Sequence, residues 1–346
     1  MIKRGITRRS AVAGIAAGAA YGAFRSAPAI AQSKAEVDEL VVAPQFGLAY
    51  VPLHVMQSEK LLEKHLAKNG LPRTKVTWAR TTGGAAANEA LLSGAVHVTS
   101  GGVGPLLTIW DRTKGNFDVK GVGTFDRTAL FLNTINPNVK ALKDFSDSDR
   151  IALPAVKISI QAVTLHMACE KEFGVGNHTK LDHLTVSMSH PDGTAAMLSG
   201  KSEITGHFTS PPFSFQQLED KRVRRVVNSF DVMGGPTTFN SAYATSRFRN
   251  DNPRSFKAVY DALVEAHEFI RKSRADAIRI YIAAENSKLA PDFIARMLDS
   301  PYIEYSVAPQ NTMKYAAFMS KVGTLKNQPA SWKDYFFPEA HDQAGS

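Results

Sequence analysis

The chain has 346 residues, room for about two domains of the usual size. Hydrophobic residues make up 44% and charged residues 21%, which excludes a disordered or fibrous chain. Of the net charge of +9, five positive charges (Lys3, Arg4, Arg8, Arg9, Arg25) lie in the first 31 residues, which hold no acid. The remainder carries only +4 and no basic block with interleaved aromatics, so nucleic-acid binding is a poor option.

That basic N-terminus reads as an export signal. MIKRGITRRS is a charged n-region and AVAGIAAGAAYGAF a weakly apolar h-region. Ala29-Ile30-Ala31 then meets the small-x-small rule for cleavage between Ala31 and Gln32. Arg8-Arg9 before so mild an h-region has the form of a twin-arginine signal. The run is too short and too rich in glycine and alanine to span a bilayer. Residues 1–31 are therefore expected to be removed, leaving a soluble periplasmic protein. Cys169 is the only cysteine, so an internal disulfide and a cysteine-based metal site are excluded.

Short apolar runs then alternate with helical stretches. ELVVAP (39–44) reads as a strand, 50–70 as one or two helices closing at Gly70, and KVTWAR (75–80) as a strand. AAANEALLSG (85–94) is a helix with a glycine stop, followed by the strand AVHVTS (95–100). VKGVGTF (119–125) and ALFLNTI (129–135) are further strands. A second set repeats the pattern: RIALP (150–154), a helix over 159–173, HLTVSMS (183–189), the helix TAAMLSG (194–200), EITGHF (203–208) and a helix opening at PPFSFQQLED. The stretches ALLSGAVHVTSGG and AMLSGKSEITGHF align with each other, which points to two similar lobes. TTFNSAYATS (237–246) reads as a strand returning from the second lobe, and the chain from about 251 onward reads as helical. There, Val259, Leu263, His267 and Ile270 share one helix face, and His267 is expected to pack. This order implies an α/β fold with mainly parallel sheets flanked by helices.

Motifs for chemistry are missing. There is no Gly-x-Ser-x-Gly elbow, no GxxxxGK[ST] and no GxGxxG after the first strand. The histidines hold no HExxH or HxxxH pair, so no metal site is expected, and no cofactor motif is present. Five strand ends instead offer small or backbone-exposing residues just before a helix: PQFGLAY (44–50), TTGGAA (81–86), VTSGGVG (98–104), PAVKISIQ (154–161) and HFTSPP (207–212). In open α/β sheets, ligands sit outside the carboxyl ends of strands, and helix N-termini there favour anions. Ser159 and Thr209 serve equally well as helix caps or ligand contacts.

In the order PQFGLAYVPLHVM, GGAAANEALLSGAVHVTSGGVGPLL, LFLNTINPNVKALKDF, DRIALPAVKISIQAVTLHMA and HPDGTAAMLSGKSEITGHFTSPPF, the chain resembles the type II periplasmic substrate-binding proteins of ABC importers. The nearest group is the nitrate/sulfonate/taurine branch with its thiamine-precursor-like members. The resemblance covers nearly the whole mature chain and rests on motif order. It implies a two-lobed fold with two hinge crossings, at ALFLNTINPNVK and GGPTTFNSAYATS. Lobe 1 would take 36–134 plus 236–346, and lobe 2 would take 135–235. It also implies a cleft lined by Gln45, Phe46, Tyr50, Ser100, Gly101, Gly102, Val103, Thr124, Lys157, Ser159, Gln161, His207 and Thr209. Phe46 or Tyr50 would stack on an organic ligand. The amides of 101–103, with Ser159 and Gln161, would hold its acid group. Lys157 is the one cation on these loops apart from Arg80 and Arg127. Some thiamine-precursor relatives are enzymes with a cysteine-rich motif and pyridoxal phosphate, and one helical cysteine argues against that class. The implied role is a monomeric solute-binding component that captures a small, anionic organic ligand of sulfonate or carboxylate type and delivers it to a membrane permease. The rivals are an exported enzyme on the same fold and a ligand-sensing partner of a membrane receptor.

Overall fold

The computed structural model describes residues 36–346. The expected signal and its Ala31–Gln32 cleavage pair lie outside them. The first set of elements is β1 (Glu39–Ala43), α1 (Val51–Ser58), α2 (Leu61–Lys68), β2 (Lys75–Trp78), α3 (Gly84–Leu92), β3 (Val98–Gly102), α4 (Val103–Thr113), β4 (Lys120–Thr124) and β5 (Asp126–Thr128). The second is β6 (Phe131–Thr134), β7 (Ile151–Leu153), α5 (Ile160–Phe173), β8 (Thr185–Ser187), α6 (His190–Ser199), β9 (Gly206–Thr209), α7 (Phe213–Leu218), β10 (Arg224–Asn228) and α8 (Ser229–Met233). The chain then returns through β11 (Asn240–Ala244), α9 (Ser246–Asp251), α10 (Pro253–Lys272), α11 (Arg274–Glu285), α12 (Pro291–Asp299), β12 (Ile303–Tyr305) and α13 (Thr312–Lys321).

Two five-stranded sheets result, ordered β2-β1-β3-β11-β4 and β8-β7-β9-β6-β10. Their topologies are the same. In each, β1 or β7 runs parallel to both neighbours, and one antiparallel strand sits fourth. That odd strand is the one arriving from the other lobe: β11 in the first sheet, β6 in the second. The chain reverses direction each time it crosses, so a crossing strand enters against the parallel set. β6 pairs only in the second sheet, so the chain changes sheets before Phe131.

The central strands read as continuous apolar runs because helices cover both faces. Ile151, Ala152 and Leu153 are all fully buried. Outside the sheets, α10 buries Val259, Leu263 and Ile270 along one stripe. Each such side chain contributes about 1.5–3 kcal/mol. His267 on that face packs as expected, its ring nitrogens 2.8 Å from the Leu263 carbonyl and 3.0 Å from that of Phe125. Cys169 is buried in α5, and burial pushes its thiol up to about 12, the behaviour of a small core residue.

One open expectation is resolved and another departs. The helical stretch over 50–70 divides because Lys60 adopts the left-handed conformation at φ 50°. The C-terminal region is not wholly helical: β12 pairs antiparallel with β5, matching Tyr305 to Asp126. This small ribbon braces the crossings. Phe239 N–H donates to the Asp126 carbonyl at 3.2 Å, and Phe125 N–H to the Asn240 carbonyl at 3.0 Å, which ties the outgoing and returning segments together.

Candidate functional site

The carboxyl ends of both sheets face one cavity between the lobes. Its walls are Gln45, Phe46 and Tyr50 before α1, Thr82 and Gly84 at the start of α3, Gly102 and Pro105 at α4, Pro154, Ser159, Ile160 and Gln161 at α5, His190 at α6, and Phe239 and Asn240 on the return. Four helix N-termini, those of α3, α4, α5 and α6, therefore converge on it. Each of these helices has at least 9 residues, long enough to present free N–H groups and the positive end of its dipole. Neither a carboxylate nor a cation lines the cavity among the described residues.

The lobes are closed on it. Leu48 N–H donates across the gap to the Pro211 carbonyl at 3.1 Å. A β-carbon on Gly102 would lie 2.5 Å from Ile160 Cγ2, and one on Gly104 would lie 3.2 Å from Val163 Cγ2. The glycines after β3 thus let the start of α4 sit directly on the start of α5. The cavity, partly open to solvent, has an inner volume of about 30 Å³. With roughly 10–15 Å³ needed per water on this scale, its inner part has room for a small head group.

Of the thirteen residues expected in the cleft, Gln45, Phe46, Tyr50, Gly102, Ser159 and Gln161 line it. Ser159 also caps α5, its Oγ accepting from Ala162 N–H at 3.2 Å. Gln45 is held in place by donating to the Ser100 carbonyl at 2.6 Å. Burial raises the Tyr50 hydroxyl well above its ordinary pKa, so it stays a neutral donor. The Arg80 guanidinium lies 4.7 Å over the Phe46 ring and pairs with Glu285 at 2.9 Å, so its charge is already engaged.

The other seven are placed elsewhere. Ser100 is fully buried and its hydroxyl donates to the Ala43 carbonyl at 2.6 Å. Gly101 packs under the Tyr243 hydroxyl, and the Val103 amide, expected to be free for ligand, donates to the Phe239 carbonyl at 3.0 Å. Thr124 donates to the Ser306 carbonyl at 2.7 Å. Lys157 is exposed, off the cavity wall, and in the left-handed region at φ 70°. His207 and Thr209 are fully buried behind His190, whose Nδ1 lies 3.3 Å from His207 Nε2 and 2.9 Å from Thr209 Oγ1.

The wall also contains Thr82, from the expected TTGGAA strand end, and His190 and Asn240, which were not expected there. Asn240 is fully buried beside the Tyr50 hydroxyl, and among the described residues neither its Nδ2 nor its Oδ1 makes a well-formed hydrogen bond. A buried amide left so is costly, about 1–3 kcal/mol, and a cavity ligand is the natural partner. His190 was within reach of the same strand-end rule: SMSHPDG runs from the end of β8 into α6 as VTSGGVG runs from β3 into α4, with Ser189 capping α6 by accepting from Asp192 N–H.

The chain has the periplasmic binding-protein fold. It superposes on the alkanesulfonate-binding protein SsuA from Xanthomonas axonopodis pv. citri, solved bound to MOPS, with a TM-score of 0.66 at 19% identity, covering 85% of this chain and 96% of that one. The periplasmic aliphatic sulphonate binding protein SsuA from Escherichia coli matches at TM-score 0.62 and 19% identity, covering 88% and 99%. The periplasmic nitrate-binding protein NrtA from Synechocystis PCC 6803 matches at 0.66 and 13%, covering 87% and 84%. No protein-family model and no curated protein matches the sequence. These three matches cover 85–88% of the chain. No helix among the described residues is long and apolar enough to cross a membrane.

Proposed function

We propose that this protein is the solute-binding component of an ABC importer and that it captures a small anion with a sulfonate- or carboxylate-like head group between its lobes. One observation carries this reading: four helix N-termini meet at a cavity lined by hydroxyl, amide and imidazole donors and by no charged side chain. Fixed N–H groups and helix dipoles favour an anion there, while enclosure removes it from competing water. Asn240 supplies a buried amide that makes no well-formed hydrogen bond among the described residues and is free to meet a ligand. The structural neighbours, named for binding sulfonates, sulphonates or nitrate, agree in ligand class. Capture, closure and release to a membrane permease would complete the cycle, with no bond made or broken in the ligand. The chain acts as a monomer in the periplasm on this reading, exported through its Arg8-Arg9 signal.

The test is a thermal-shift screen of the mature protein against alkanesulfonates, short carboxylates, nitrate and neutral pyrimidines. A ligand that binds only the folded state stabilises it by about 2.7 kcal/mol at a hundredfold excess over Kd. Small anions are expected to raise Tm and pyrimidines to leave it unchanged. Turnover of a substrate, or no shift with any anion, overturns the proposal. For export, replacing Arg8-Arg9 by Lys-Lys is expected to leave precursor in the cytoplasm.

A further inference from the structure

Behind the cavity wall of the second lobe, a chain of buried polar side chains ends at His190. Its first anchor is a backbone carbonyl, that of Ser214, which only accepts. Asn133 lies 2.8 Å from it and must turn its Nδ2 toward it. The same Nδ2 donates to Gln217 Oε1 at 3.0 Å, which fixes the Gln217 amide. Gln217 Nε2 then donates to Thr194 Oγ1 at 2.9 Å and to His207 Nδ1 at 2.7 Å. A His207 whose Nδ1 accepts carries its proton on Nε2. That Nε2 faces His190 Nδ1 at 3.3 Å, so His190 Nδ1 accepts in turn, as it also does from Thr209 Oγ1 at 2.9 Å. The His190 proton is thereby placed on Nε2, 3.3 Å from the Gln161 side-chain nitrogen at the cavity wall, so the Gln161 amide must turn over and present Oε1 to accept it.

The opposite polarity fails at the anchor. If Gln161 donated to His190 Nε2, the His190 proton would sit on Nδ1 and face the proton on His207 Nε2. Resolving that clash requires turning Gln217 and then Asn133, which would point Asn133 Oδ1 at the Ser214 carbonyl. Gln161 has no second hydrogen-bond partner among the described residues, so it is the amide that yields.

We propose that Asn133, Gln217 and His207 form a directional hydrogen-bond relay that holds His190 as a neutral Nε2–H donor, so that the cavity captures an anion without taking up a proton. The ligand part rests on the function proposed above; the tautomer part does not. The surroundings agree. Beyond the relay, the two rings are faced by Gly193, Thr194, Thr209, Phe213 and Gln161, none of them charged, and among the described residues the only titratable group facing either ring is the other. Burial pushes His190 down to about 3 and lowers His207 further from its ordinary value. Gly193 is part of the device: a β-carbon there would lie 2.8 Å from His207 Nε2.

Long-range ¹H–¹⁵N correlation spectra of the ligand-free protein read the tautomers directly. His190 is expected as the Nε2–H form, unchanged between about pH 5.5 and 8. Methanesulfonate is the probe for affinity, expected to be flat over the same range. Gln217→Glu replaces the donor with an acceptor of the same shape. It should reverse the relay, move the His190 proton to Nδ1, and make binding depend on a second proton, with affinity falling about tenfold per pH unit above the new His190 pKa. Gln217→Met, which only removes the donor, should give mixed tautomers and serves if the glutamate variant does not fold. A wild-type His190 found as Nδ1–H, or doubly protonated near neutrality, overturns the relay, as does a Gln217→Glu protein with unchanged tautomers. If the tautomer is as stated and no anion binds, the relay stands and the functional reading falls. If anions bind to a His190 in the Nδ1–H form, the reverse holds.

Discussion

The two lobes share a strand order but treat the cavity edge differently. In lobe 1, β3 ends in Gly101 and Gly102, and the neighbouring strand fills the space with Tyr243, whose hydroxyl would meet a Gly101 β-carbon at 2.9 Å. In lobe 2, the aligned strand end carries a large residue, His207, and the glycine has moved to the facing helix as Gly193. Lobe 1 thus brings backbone up to the cavity and to the other lobe. Lobe 2 backs its cavity wall with a polar side-chain network. The caps follow the same division: α4 starts at Gly102 with no side-chain cap, while α5 and α6 are capped by Ser159 and Ser189. Duplicated topology therefore does not mean duplicated chemistry. One lobe supplies close approach, the other oriented donors.

The largest expected effect breaks the lobe 1 half of this comparison. Gly102 has φ −64° and ψ 162°, a conformation any residue adopts, so Gly102→Ala adds a methyl without backbone strain. That methyl would sit 2.5 Å from Ile160 Cγ2 and hold the lobes apart. Ligand affinity is expected to fall by about a hundredfold, or about 2.7 kcal/mol, with little loss of Tm in the free protein. Calorimetric titration measures the first and X-ray scattering the more open shape. Adding Ile160→Ala should recover most of the affinity; if it does not, contact between α4 and α5 is not what limits closure.

Gly193→Ala tests the lobe 2 half. Here the added methyl meets a ring inside a packed lobe rather than a surface between lobes. The cost should therefore appear in stability, about 1–3 kcal/mol as for other overpacked sites, read as a lower urea midpoint without ligand. A variant that lost affinity while keeping full stability would place Gly193 with Gly102 and erase the distinction.

How much of this was legible in the sequence depends on range. The repeat, the strand order and the cavity-forming strand ends are local features, carried by glycine stops and by alternating apolar runs. Which atom of a strand end meets the cavity is not local. His207 was expected there, yet the side chain falls behind α6, and His190, one helix earlier, takes the wall. Asn240 lies far along the chain from the loops it joins and arrives on the antiparallel strand, opposite Gly102. The expected free amide of Val103 is consumed by the Phe239 carbonyl for the same reason. Close approach of lobe to lobe was also unreadable, because glycine before a helix signals equally a turn, a ligand contact or a packing surface.

Asp126 sits where the two halves join, and gives an effect that shows only as pH changes. It is fully buried, accepts from Asn240 N–H at 3.2 Å, and burial raises its carboxyl from 3.8 to about 7. The folded state binds this proton more tightly than the unfolded chain, so the contribution to stability is fully present below pH 3.8 and is lost as pH rises through about 7. Asp126→Asn lacks the titration. Its stability relative to wild type should rise across that window by up to about 1.4 kcal/mol per pH unit and level off above it. Urea unfolding of both proteins at several pH values gives the difference directly, with other titrations cancelling. A flat difference would show that the carboxylate is compensated where the crossings meet.

The smallest expected effect concerns charge. The lobe 2 loop before α5 carries the exposed cation Lys157, and a reading in which charge holds the anion would make the lobes electrostatically unequal. The geometry assigns that work to neutral donors instead, since Lys157 lies off the cavity wall and Arg80 is engaged by Glu285. Lys157→Gln, which keeps most of the stem, is expected to change affinity by less than about twofold, within the small range of exposed charges. Affinity should also vary little with salt, because partly buried dipoles are screened less than surface charges. A tenfold loss together with a steep salt dependence would mean that a surface cation, rather than the four helix ends and the His190 donor, holds the anion.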